Sequence, residues 1–101
     1  MNKDTEQTPV VFRTYPDGDT IALFPADPAD SLGRFCNSYQ HLGQHGAADY
    51  HLVMAQTRAA TPSEIEPLQQ ELERIGYVLQ PIKRTPYHLH RQRLEAVRAI
   101  T

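Results

Sequence analysis

The stretch VVFRTYPDGDTIALF, residues 10–24, decides the fold. Val10 to Tyr15 is β-branched and aromatic, which suits a pleated, half-buried surface. Pro16-Asp17-Gly18-Asp19 follows, and the glycine supplies the positive φ that a tight reversal needs. Thr20 to Phe24 then returns. An Asp-Gly between two such runs predicts a β-hairpin. Ile21-Ala22-Leu23-Phe24 shows no polar alternation, so the return strand is expected to be covered on both faces and to lie centrally in a sheet.

Working outward, residues 1–8 are polar and read as a disordered N-terminal tail, which leaves residues 9–101 as a single domain. Pro25 to Arg34 (PADPADSLGR) reads as a loop, because two prolines, two aspartates and a glycine work against regular structure. Phe35–Leu42 and Tyr50–Thr57 read as a second pair of strands, joined by the loop Gly43–Asp49. Thr61-Pro62-Ser63-Glu64 offers a capping box, with Thr61 at the N-cap, proline at N1 and Glu64 reaching back from N3. Ile65, Leu68, Leu72 and Ile75 then recur at helical spacing, and Gly76 is placed to end that helix. Tyr77–Ile82 reads as a further strand whose Pro81 belongs on a sheet edge. Pro86–Ile100 reads as a second helix, with Tyr87, His90, Leu94 and Val97 on one side and His88, Arg91, Glu95 and Arg98 on the other. The order of elements predicts an α+β fold: a mostly antiparallel sheet of about five strands (two hairpins and one more) with two helices packed on one face.

The chain has 101 residues, 40% hydrophobic and 22% charged, with a net charge of −2. That composition supports one modest core and excludes a surface built throughout to hold a polyanion. Charge is uneven, however. Residues 1–80 carry five Lys/Arg against eleven Asp/Glu, whereas residues 81–101 carry five against Glu95 alone. A lone cysteine, no apolar leader and no long apolar run together predict a cytoplasmic protein without a membrane span.

Residues 35–51, FCNSYQHLGQHGAADYH, gather the only cysteine and three of the five histidines. If Leu42 faces Tyr50 across the second hairpin, His41 faces His51 with Cβ atoms about 5 Å apart. His41, His45 and His51 are then candidate ligands of a divalent transition metal, completed by Cys36, Asp49 or water. A register slip of one residue disperses them. The same group, with Tyr39, Gln44 and Asp49, is a candidate pocket for a small organic ligand. No other cofactor is identifiable and no catalytic residue can be assigned. Cys36 as a nucleophile needs a depressed pKa, and in a strand-like run a small apolar filler is the simpler role.

The basic C-terminal segment carries Lys83, Arg84, Arg91 and Arg93, which are candidate nucleic-acid contacts, with Tyr87 available to stack on a base. The alternative is a solvated helix face whose last-turn Arg98 suits the helix dipole.

VVFRTYPDGDTIALFP at 10–25, SYQHLGQHGAADYHLV at 38–53 and TPSEIEPLQQELERIGY at 61–77 resemble an uncharacterised family of small bacterial proteins, also met on phages and mobile elements. The resemblance covers most of residues 10–84, leaves the basic tail outside, and implies no activity or cofactor. No paired acid and base, phosphate loop or metal signature is present. The expected role is therefore binding, to a protein partner or a second copy, with an enzyme or a metal- or small-ligand-binding protein using the histidine-rich hairpin 35–51 as the alternative.

Overall fold

The computed structural model describes residues 7–41 and 44–100. Among them are six strands and three helices. Gly18 takes φ +96°, and Asp17 Oδ1 accepts from the Asp19 amide at 3.0 Å. The chain therefore reverses where expected. β1 (Thr8–Thr14) pairs antiparallel with β2 (Thr20–Pro28), Val11 opposite Leu23 and Thr14 opposite Thr20. The expected tail falls on residues 1–6, outside the described residues, whereas Thr8 already belongs to β1 and donates to the Val78 carbonyl at 2.7 Å.

β2 runs further than the composition of 25–34 predicts. Pro25 to Pro28 continue the strand, and a register shift between Phe24 and Pro28 accommodates them. Proline has no N–H to give to a ladder, so it is tolerated where the ladder is interrupted. β3 (Cys36–Tyr39) lies on the other side of β2, and β4 (His45–Ala48) pairs with β3.

The largest departure is at Tyr50–Thr57, expected as a strand. It is a helix, α1 (Tyr50–Gln56), capped by Asp49, whose carboxylate accepts from the Leu52 amide at 3.2 Å. Tyr50 and Val53, three apart, are its buried residues. Thr57 closes it by donating to the Val53 carbonyl at 2.6 Å. The returning strand of the second hairpin is instead β4, within the expected loop.

β5 (Arg58–Ala59) brings the chain back to β1, with Thr14 opposite Arg58. α2 (Pro62–Arg74) begins with the full capping box at Thr61 and Glu64 and is followed by Gly76 at φ +115°. β6 (Leu79–Pro81) then joins β1 in parallel, Thr8 opposite Leu79. The sheet order is β4-β3-β2-β1, with β5 and β6 sharing the outer side of β1. Pro81 thus stands in an edge strand, as expected.

Helices cover both faces of the sheet rather than one. Leu68 and Leu72 of α2 join Val10, Phe12, Ala22, Phe24, Tyr39 and Leu79 on one side. Tyr50 and Val53 of α1 join Val11, Ile21, Leu23, Cys36 and Ala48 on the other. The cause is the apolar run Ile21–Phe24: successive side chains point to opposite faces, so both need cover. α3 (Tyr87–Ile100) packs on the α1 side through His90, whose ring meets Tyr50 at 4.7 Å. Of the side that groups Tyr87, His90, Leu94 and Val97, His90 and Val97 are half-buried. Among the described side chains of α3, Leu89 and Arg93 are buried, while Tyr87 is 75% and Leu94 40% exposed. Buried Arg93 donates to the Pro25 carbonyl at 2.6 Å and the Gly33 carbonyl at 2.9 Å. Those two carbonyls need donors, and the guanidinium fork supplies them.

Candidate functional site

Tyr39 stands opposite His45 across the β3–β4 pair, and their rings meet edge to face at 4.7 Å. On this α2 side the Tyr39 hydroxyl donates to the Glu71 carboxylate, and His41 Nδ1 lies 2.9 Å from Glu71 Oε2. His45 Nε2 approaches the Tyr77 hydroxyl at 3.4 Å. Burial, with the nearby Asp27 charge second, raises the Tyr77 pKa above its ordinary value. A cleft of about 730 Å³ opens beside this group, lined by His41, His45, Gln70, Glu71 and Arg74. Gln44 and His41 also line a second depression of about 400 Å³ with Asp19 and Glu64.

His51 is elsewhere. It lies on α1, its ring 5.3 Å from Tyr50 and 5.4 Å from His90 of α3. The expected meeting of His41 and His51 does not occur, because residues 50–56 are helical and carry His51 to the opposite side of the sheet. Among the described residues, no three His, Cys, Asp or Glu side chains gather to hold a metal ion. Asp49 is engaged as the α1 cap. Cys36 is fully buried, and burial pushes its thiol up to about 11, the reverse of what a nucleophile needs.

The basic segment is also divided. Arg93, at 7% exposure, holds α3 to the 25–33 stretch and cannot reach a phosphate. Arg91 is exposed and lies 3.8 Å from Glu95 on the same helix. Lys83 and Arg84 stand exposed in the connection between β6 and α3.

A feature the sequence reading passed over lies at the end of the sheet. β4 pairs with β3 on one side only, so among the described residues its other side is an open edge. Gln40 donates to the Gln44 carbonyl at 3.1 Å, while the Gln44 amide turns back to the His41 carbonyl, so Gln40–Gln44 closes the ladder at a bonded position. Such pairs alternate along an antiparallel ladder. Ser38–Gly46 and Cys36–Ala48 are therefore bonded pairs, and the N–H and C=O groups of His45 and Ala47 point away from the sheet. His45, Gly46 and Ala47 are all exposed. Below this edge, on the α1 side, a groove of about 570 Å³ is lined by Ile21, Ser38, Gly46, Ala48, Leu52 and Val53. The available signal was Asp49 before Tyr50 and Val53, which caps a helix and confines the strand to His45–Ala48.

The chain shows no significant match to a protein-family model, a curated protein or a solved structure.

Proposed function

We propose that this chain is a small cytoplasmic interaction module that binds a protein partner by accepting a β-strand along β4. The observation that carries this reading is the contrast between the two sides of the sheet. At the β1 side, β5 and β6 share the outer position, and they carry Arg58 and Pro81, a charge and a missing donor of the kind that discourages further pairing. At the β4 side, His45-Gly46-Ala47-Ala48 contains no charged residue, proline or bulge, and only the shortness of the strand protects it. Backbone groups aimed outward give strand addition its affinity.

A library of extended peptides selected on the protein tests the reading. Selected peptides should slow exchange of the His45 and Ala47 amides and should lose affinity for Ala47→Pro, which removes an outward donor and no bond to β3. Peptides that bind Ala47→Pro equally well would sink it.

A second reading rests on the Tyr39–Glu71–His41 contacts beside the 730 Å³ cleft. A small polar ligand bound there should shift the NMR signals of His41 and His45 in a fragment screen, and Glu71→Gln should abolish the shift. Signals that move elsewhere would exclude this site.

A further inference from the structure

We infer that the strand received by β4 is β4 of a second copy of this chain, so that two sheets join edge to edge about a two-fold axis at Gly46. This rests on the open-edge reading above and names its partner. The outward groups of His45 and Ala47 are two residues apart. An antiparallel copy meets them with the same two residues, His45 against Ala47 and Ala47 against His45, in four hydrogen bonds. Gly46 then faces Gly46 as the intervening non-bonded pair, where Cα atoms approach to about 4.5 Å. The patch is self-complementary, as a two-fold interface requires.

The glycine itself supports this placement. Its φ is not among the positive ones, and a Cβ there would meet only Ser38 Oγ, at an ordinary 3.6 Å. Nothing in its own chain therefore demands glycine, although glycine weakens a strand. In the paired arrangement Gly46 leaves bare backbone on the α1 side of the axis. A two-fold axis perpendicular to the sheet keeps both α1 helices on that side. Leu52 of α1, 53% exposed on the groove that Gly46 and Ala48 also line, faces this bare space. Two Leu52 side chains, one from each copy, then cover the axis and bury apolar surface that four hydrogen bonds alone do not supply. A partner that brings its own helix adds apolar contact to this four-residue edge. A net charge of −2 offers little repulsion between copies.

Sedimentation equilibrium of the full chain, of Ala47→Pro and of Leu52→Glu tests the inference. The wild-type chain should show a concentration-dependent monomer–dimer equilibrium. Both variants should remain monomeric wherever the wild type associates, with unchanged circular dichroism. Leu52→Glu keeps the test sound if Ala47→Pro fails to fold, because position 52 is exposed in the first turn of α1, where an acid suits the helix. A dimer that survives either substitution is built on another surface and overturns the inference. A wild-type chain that stays monomeric at every concentration overturns it too, while peptide binding at β4 is decided separately by the peptide selection.

Discussion

Tyr39 and His45 face each other across the β3–β4 pair with ring centroids 4.7 Å apart, and this register, with the Gln40 amide bonded to the Gln44 carbonyl, turns the peptide groups of His45 and Ala47 outward. Had the hairpin closed on Tyr50, the outward set would be different and His41 would meet His51. With Tyr39 on His45, Glu71 draws Tyr39 and His41 to the α2 side, and His45 and Ala47 present their peptide groups to solvent.

Leu72 is fully buried beneath α2, in the cluster formed with Phe12 and Phe24. Leu72→Ala should destabilise the fold by about 2–5 kcal/mol in denaturant melts. Glu73→Ala, one residue on and exposed, should change stability by no more than about 0.5 kcal/mol. Equal effects at 72 and 73 would contradict the orientation of α2.

Arg93 is the tie between α3 and the strand that runs through Pro25. Arg93→Met should destabilise by about 2–4 kcal/mol, because the carbonyls of Pro25 and Gly33 lose a charged donor and stay buried. Arg93→Lys keeps the charge without the fork and should fall between wild type and Arg93→Met. Wild-type stability in Arg93→Met would show that the two carbonyls find other partners.

His90 should make the fold sensitive to mild acid. Burial first, then the charges of Arg93 and His51, lowers its pKa in the folded chain below the ordinary 6.5. Its Nδ1 accepts from Arg93 at 2.9 Å, which requires the neutral ring. A depressed folded pKa means that the unfolded chain takes up the proton first. The stability contribution is therefore complete above the unfolded value and is lost as pH falls through the folded one. The melting temperature should drop between about pH 7 and pH 5, and His90→Gln should flatten that drop. An identical pH profile in the variant would place the sensitivity in another group.

Glu64 should act lower on the pH scale. Its carboxylate receives Arg58 at 2.7 and 2.8 Å, Thr14 at 3.1 Å and the Thr61 amide at 2.9 Å. The Arg58 guanidinium, followed by the Thr61 amide, holds its pKa far below the usual carboxylate range. That contribution is present above the unfolded value of about 4.5 and disappears as acid protonates the folded carboxylate. Glu64→Gln should be less stable at neutral pH and should show a shallower acid limb. A variant as stable as wild type at neutral pH would remove Glu64 from the ties between α2 and β1.

Where local chemistry decides a conformation alone, the sequence is readable. Asp17-Gly18 makes its turn, and the capping box at Thr61 and Glu64 starts α2 because both partners lie within four residues. Where distant contacts decide, reading fails. Gly46-Ala47-Ala48 has poor strand propensity and becomes β4 only because β3 offers a ladder. Tyr50 to Gln56 is rich in residues that suit strands, yet the Asp49 cap and the Tyr50–Val53 spacing, burying onto Ile21 and Leu23, make it helical. Arg93 reads as surface charge until the carbonyls of Pro25 and Gly33, 68 and 60 residues away, are seen to need donors.

Amide hydrogen exchange along β4, followed by NMR from dilute to concentrated solution, tests the open, self-pairing edge most directly. In dilute solution the Gly46 and Ala48 amides, bonded to β3, should exchange slowly, and those of His45 and Ala47 should exchange fast. As concentration rises, His45 and Ala47 should become protected while Gly46 and Ala48 change little. Fast exchange at His45 and Ala47 at every concentration, or protection there at the lowest, would contradict the account.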